Sequence, residues 1–260
     1  MRIAIVTGAS SGLGREYARW IDEHGNVDEI WIIARRAERL EELKKELKTT
    51  TKPLPLDLTD THSIDTVEHM LRESAAKDPA FDVSFLINAA GFGKFGTYAD
   101  MTRQEVDSMV DLNCRALVDL TQISLPFMHK GSRIIEVASS ASFQPLQGLN
   151  VYAASKAFVR FYTRALRFEL MGKGIHLTAV CPLWVKTEFI KVARETQNGQ
   201  TVKHPWPMLN PKHVVSWSMK INATNYPIAT CCVPAFLMRI CDKILPNPAI
   251  MWIWEGLRRI

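Results

Sequence analysis

Tyr152-Ala153-Ala154-Ser155-Lys156 sets a phenol and an ammonium four positions apart. Ala157, Phe158, Phe161 and Leu166 follow at helical spacing, so these five residues are read as the opening of a helix. Positions i and i+4 share one helix face, about 6 Å apart along the axis. A hydroxyl, Ser139, stands thirteen residues before Tyr152, at the end of an apolar run that reads as a strand. A phenol, an ammonium and a hydroxyl are the parts of a proton-transfer site. They need elements to bring them together and a compound to act on.

The elements are legible as an alternation. Apolar runs over 3–6, 29–33, 83–87, 133–138 and 175–180, with 52–56, read as strands. Helical patterns run to about residue 24 and over 37–47, 63–75, 103–129 and 152–171. Fully apolar strands alternating with helices predict an α/β fold: a doubly wound parallel sheet of about seven strands with helices on both faces. No Pro/Gly/Ser-rich linker divides the chain, so residues 1–260 are expected to form a single domain. After Pro182 the rhythm fails. Residues 187–212, with Asn198, Gly199, Pro205, Pro207 and Pro211, are expected to form a lid. A helix over 212–220 and a strand over 229–233 complete the sheet, and 234–260 is apolar again, broken by Pro246 and Pro248.

Composition excludes several classes. Charged residues are 23% and hydrophobic residues 47%, as in globular proteins. The net charge is +5, but Lys and Arg are scattered, which argues against nucleic-acid binding. The five cysteines include no CxxC pair and the histidines no HExxH, so neither a disulfide framework nor a metal site is expected. The first strand starts at Arg2 or Ile3, which predicts a cytoplasmic protein without a secretion leader.

Thr7-Gly8-Ala9-Ser10-Ser11-Gly12-Leu13-Gly14 follows the first strand and opens a helix. Such a turn lets backbone approach a pyrophosphate and aims a helix N-terminus at it. At the end of the second strand, where an acidic residue would hold a ribose 2′-hydroxyl, stand Arg35 and Arg36. Guanidinium groups bind a 2′-phosphate that a carboxylate repels. The chain is therefore expected to prefer NADP(H) to NAD(H), unless both arginines are ordinary surface charges opening a helix.

Together these residues resemble the short-chain dehydrogenase/reductase family in its single-domain subgroup, a Rossmann-type fold. The likeness rests on Thr-Gly-x3-Gly-x-Gly at 7–14, Ser139, Tyr-x3-Lys at 152–156, Asn88-Ala89-Ala90-Gly91, Asn113, and Pro182-Leu183-Trp184-Val185-Lys186-Thr187. It covers residues 1–190 and departs from the family pattern at Ala89 and Leu183. The resemblance implies that Tyr152 is the general acid/base. It implies that Lys156 lowers the phenol pKa and holds ribose hydroxyls, that Ser139 positions the substrate oxygen, and that Asn113 carries a water linking Lys156 to solvent. Ser140 and Ser142 are rivals to Ser139, which is chosen by spacing alone. A positive charge about 5 Å away is worth roughly 3 kcal/mol at an effective dielectric of about 20, most of what a phenol needs to work near neutrality. Cofactor contacts implied on this basis are Gly8, Ser10, Ser11, Gly12, Leu13, Gly14, Arg35, Arg36, Asp57, Leu58, Asn88, Ala89, Ala90, Gly91, Asn113, Tyr152, Lys156, Pro182, Val185 and Thr187. Asp57 could equally cap a helix.

The resemblance further implies hydride transfer between NADP(H) and a carbonyl or secondary alcohol. Phe92, Phe95, Phe143, Trp184, Phe189 and Trp206 suggest a hydrophobic substrate of steroid, fatty-acyl or aromatic type. A non-catalytic NADP(H)-binding regulatory protein on the same fold is the alternative. An epimerase of the extended branch is disfavoured by the Gly spacing and by chain length. The apolar residues of 247–260 have helical spacing; they fit packing on the core or on a sister subunit of a homodimer or homotetramer better than peripheral contact with a membrane. An Arg35→Asp, Arg36→Ala double variant is expected to lose its preference for NADPH over NADH. Dissociation constants for the two cofactors check this, and an undiminished preference removes the assignment.

Overall fold

The computed structural model describes residues 1–196, 202–203 and 205–259. Its chain starts as β1 (Arg2–Thr7), α1 (Gly12–His24), β2 (Glu29–Ile33), α2 (Ala37–Glu46), β3 (Thr50–Leu54) and α3 (Thr61–Lys77). Then come β4 (Asp82–Asn88), α4 (Arg103–Val110), α5 (Ala116–Ser124), β5 (Arg133–Val137), α6 (Asn150–Glu169) and β6 (His176–Val180). The chain ends in α7 (Phe189–Ala193), α8 (Pro211–Ala223), β7 (Ile228–Ala229), α9 (Val233–Ile244) and α10 (Asn247–Arg259).

All seven strands are parallel, in the order β3-β2-β1-β4-β5-β6-β7. Strand order reverses between β1 and β4, and a doubly wound sheet opens a crevice at the carboxyl ends of such a pair. Alternate strand residues feed opposite layers because side chains alternate across a sheet. Ala4, Val6, Ile30, Ile32 and Ile87 pack with α1, α2 and α8. Ile3, Ile5, Trp31, Ile33 and Leu86 pack with α3, α5 and α6.

Several expected boundaries shift. β3 begins two residues early, and β7 is two residues long because Val233 opens α9, with Pro234 in its first turn. The helical stretch after Arg103 is broken by a π-helical turn over Asp111–Arg115. In α6 the buried stripe is Tyr152, Lys156, Val159, Thr163 and Leu166; Phe158 and Phe161 lie on the exposed side. Asp57 does not cap α3. Its carboxylate accepts from the Thr59 N–H and hydroxyl, and Asp60 is the cap.

One buried carboxyl joins the two central strands. Glu136 is fully buried on β5, in register with Asn88 on β4. Its Oε1 accepts from Asn88 Nδ2 (3.2 Å) and Thr121 Oγ1 (3.0 Å). Its Oε2 and Asn88 Oδ1, both acceptors, are without hydrogen-bond partners among the described residues. Protonating Oε2 turns one of them into a donor. Burial outweighs the two hydrogen bonds and the Lys156 charge and pushes the carboxyl up from 4.5 to about 8. The unfolded chain therefore releases this proton near its ordinary pKa while the folded chain keeps it, so stability falls as pH rises through that window. A Glu136→Gln variant keeps the shape without the proton. Its unfolding free energy should match wild type near pH 4.5 and exceed it by on the order of 4 kcal/mol at pH 8, seen as a higher melting temperature there. Parallel melting curves across that range contradict a protonated Glu136.

Candidate active site

The nucleotide end is built where β1 meets β4. The Thr7 hydroxyl accepts from the backbone N–H groups of Ala89 and Ala90, each at 3.0 Å. Gly8 has φ +67°, and a Cβ there would stand 2.9 Å from the Ala89 carbonyl and the Ala90 nitrogen, so only glycine lets the turn lie against the β4 loop. Ser11 is the N-cap of α1 but makes no side-chain cap bond. Its hydroxyl instead accepts from Arg36 Nη2 at 3.0 Å. The first turn of α1 thus presents its N–H groups to the crevice, an anion seat next to a guanidinium. These features fit a dinucleotide phosphate.

Arg36 also donates to Ser10 Oγ (2.9 Å) and to Glu188 Oε2 (2.9 Å). Arg39 donates to the other Glu188 oxygen at 2.6 Å. Arg39 and Arg36 together hold the Glu188 carboxyl below the usual carboxylate range. Arg35 is exposed, with Asp57 3.8 Å away. Sequence reading missed Arg39 and Glu188. Arg39 looked like one more charge of an exposed helix, and Glu188 is 149 residues from it in the chain.

The reactive end sits on the same cavity, of about 960 Å³. Ser139, Tyr152 and Lys156 line it together, as do Gly8, Ser10, Ser11, Gly12, Leu13, Gly14, Arg35, Arg36, Asp57 and Leu58. Ala89, Ala90, Gly91, Pro182, Leu183, Val185 and Thr187 line it too. The Ser139 hydroxyl accepts from the Ala141 N–H at 3.1 Å, and its proximity opposes the upward shift of the Tyr152 phenol. Ser142 is turned to Cys181. Lys156 Nζ donates to the Val137 carbonyl at 2.7 Å. Leu183 needs no left-handed backbone: among the described residues only Asn26 and Asn225 are non-glycines with positive φ.

Two expected cofactor contacts lie behind this wall. Asn88 faces Thr121 and Glu136 and ties β4 to α5 and β5, so Asn88 rather than residue 89 makes the tie between strands. Asn113 is fully buried in the π-helical turn. It donates to the Phe92 carbonyl (2.9 Å) and Ser155 Oγ (3.0 Å) and accepts from the Phe92 N–H (3.1 Å). It fixes the β4 loop beside Lys156: a Cβ on Gly91 would meet Asn113 Oδ1 at 2.8 Å and Lys156 Nζ at 3.2 Å.

The expected lowering of the phenol pKa is not what the protein groups produce. Burial dominates, pushing Tyr152 up to about 12 against the opposing Ser139 hydroxyl. Burial also pulls Lys156 down to about 8. Both follow from placing a would-be charge in a site walled by apolar groups.

Beyond Tyr152 the cavity is lined largely by apolar side chains. Phe92, Trp184, Phe189 and Trp206 line it, and the Tyr152 and Phe189 rings stand 5.3 Å apart. Phe95 and Phe143 do not. Phe95 is buried beneath Trp184, and Phe143 packs under Arg160. Of the expected lid, α7 and Val202 form part of the wall, while Asn198 and Gly199 lie outside the described residues. The far wall comes from α9 and α10, including Met238, Leu245, Ile250 and Trp254. The chain thus folds its own C-terminal segment over the site, though Ile260 lies outside the described residues.

Comparison with known proteins agrees with this geometry. The family model described as short chain dehydrogenase matches residues 2–198. Serine 3-dehydrogenase of Agrobacterium fabrum is 34% identical over 213 residues, covering 80% of this chain and 81% of that protein. A short-chain dehydrogenase from Sphingobium yanoikuyae in complex with NADPH superposes with TM-score 0.77 at 25% identity, covering 97% of this chain and 96% of the other. A bulky-bulky ketone specific alcohol dehydrogenase from Comamonas testosteroni gives TM-score 0.75 at 26% identity, with 97% and 94% covered. Solved structures of similar fold include complexes with NADP(H) and, at 18% identity, one with NAD. Sequence, fold and site geometry agree that the chain belongs to the short-chain dehydrogenase family of oxidoreductases.

Proposed function

We propose that the protein moves hydride between NADP(H) and the carbonyl or secondary alcohol of a bulky hydrophobic compound. The observation that carries this reading is the single cavity that joins the α1 seat and Arg36 to Ser139, Tyr152 and Lys156, and then to an apolar chamber. NADP(H) supplies the hydride when bound. Gly8, Gly12 and the start of α1 hold its phosphates. Arg36, with Arg35 and Arg39 near it, holds the 2′-phosphate, a role supported by the Arg36 bonds to Ser10 and Ser11 of the Gly-rich turn.

In reduction, Ser139 donates to the substrate oxygen and holds it beside Tyr152. Tyr152, whose burial keeps it protonated near neutrality, gives its proton to that oxygen as negative charge develops there. Lys156 stabilises the phenolate left behind. Asn113 keeps the loop and α6 in step and leaves an amide edge for a water beside Lys156. The apolar chamber favours substrates with large hydrocarbon bodies. Phe161 and Phe168, exposed on α6, are the proposed face for association into a homodimer or larger oligomer.

The alternative of a non-catalytic NADP(H)-binding protein lacks a supporting defect, since the Ser, Tyr and Lys side chains share one cavity. Tyr152→Phe should keep NADPH affinity and lower turnover of hydrophobic ketones by at least about a hundredfold, followed at the cofactor's absorbance. Retained turnover rejects the role, and a wild type that binds NADPH but turns over no ketone favours the alternative. The pH dependence has a definite sign. Lys156 is charged below about pH 8 and loses its charge above it. Ketone reduction should therefore be level near neutrality and decline above about pH 8, measured as kcat/KM. A rate that stays level well into the alkaline range removes Lys156 as the stabilising charge.

A further inference from the structure

The helices that wall the chamber are apolar on two sides. Pro234, Leu237, Met238 and Cys241 of α9 line the cavity at spacings of three and four, so they share one face, which Leu245 continues just past the helix end. Val233, Phe236, Ile240 and Ile244 repeat at the same spacings but do not line it. They are exposed, Val233 at 70% and Ile244 at 74%. At about 100° per residue the two faces adjoin, and Leu237 falls between them. It both lines the cavity and is 53% exposed. On α10, Ile253 and Leu257 likewise line the cavity while exposed, and Trp252, 77% exposed, points away from it. Gln147, in the loop before α6, holds this helix at two points: Trp254 Nε1 donates to the Gln147 carbonyl at 2.9 Å, and Gln147 Nε2 to the Met251 carbonyl at 3.3 Å. Leu237 therefore connects the outer stripe to the chamber wall.

Charge says what covers this face. The Asp242 carboxyl faces Arg160 and Lys243, and Arg160 in turn faces Arg164 and Arg239. On α9 itself Asp242 is the one acidic residue against Arg239 and Lys243, and Lys243, seven residues from Phe236, borders the exposed stripe. A second copy of the chain using this face in a two-fold dimer would set these cations against their own kind. An anionic lipid surface complements them, and a large exposed Trp beside apolar side chains suits the headgroup boundary. No helix among the described residues is long and apolar enough to cross a membrane, so the fit is to a surface.

We propose that α9 and α10 dock the protein on an anionic bilayer surface, with the apolar rim of the chamber turned to the lipid. Docking stands on this face alone. That the rim passes a membrane-dissolved ketone or alcohol into the chamber rests on the substrate reading above.

Sedimentation with phosphatidylcholine–phosphatidylglycerol vesicles tests it. Wild type should bind them about tenfold or more tightly than pure phosphatidylcholine vesicles, and less tightly as salt rises. An Ile244→Glu, Trp252→Glu variant should lose this binding and keep wild-type turnover of a short water-soluble ketone, since neither side chain lines the cavity. Lys243→Glu should weaken binding to the anionic vesicles selectively. Tyr152→Phe, read by sedimentation alone, should bind vesicles like wild type, which separates a failure of docking from a failure of the proposed reaction. The proposal is overturned if wild type stays in the supernatant with both vesicle types. It is overturned equally if light scattering shows a dimer that Ile244→Glu, Trp252→Glu dissociates while wild type ignores vesicles, because a second copy then covers the face.

Discussion

The architecture depends on the contact between the turn after β1 and the loop after β4. Thr7 supports both loop N–H groups, and Gly8 lies against the same backbone with no room for a side chain. This contact sits where strand order reverses, so it fixes the mouth of the only crevice a doubly wound sheet of this order opens there. What borders that crevice follows: α1 presents its N-terminus, β4 leads to Gly91 and Phe92, and β5 leads to Ser139. Asn113 then ties Phe92 to α6 through Ser155, which places the Tyr152–Lys156 face against the crevice.

Around this contact, burial and charge are in tension. The site holds a phenol and an ammonium, and behind its wall, one strand residue from the carbonyl that Lys156 bonds, stands a carboxyl. All three are buried, and burial shifts each toward its neutral form. Proximity of Lys156 to Tyr152 suggested the opposite for the phenol. A Coulomb estimate in a medium of intermediate dielectric omits the desolvation that a closed, largely apolar cavity imposes. The result is a phenol that stays protonated near neutrality.

The C-terminal helices extend the same logic outward. Their apolar residues complete the chamber, yet α9 carries more apolar surface than the chamber can cover. One helix thus serves an inner and an outer surface, and Arg239 and Lys243 border the outer one.

The sequence by itself determined the alternation of elements, the parallel sheet and the Gly-rich turn, and it singled out Tyr152, Lys156 and Ser139, which the fold brings to one cavity. Those depend on local periodicity and on spacings within one or two elements, which chemistry constrains directly. Tertiary structure alone decided the rest. The Arg36–Glu188–Arg39 cluster joins residues far apart in the chain. The π-helical turn that aims Asn113 has no spacing of its own in the sequence. Phe161 reads like a core residue yet faces outward, and Phe95 reads like a pocket residue yet lies beneath it, because an aromatic side chain fits any apolar environment and only packing says which. For the same reason the segment after Pro234 showed its helical spacing in the sequence, but not that one of its faces closes the active-site chamber.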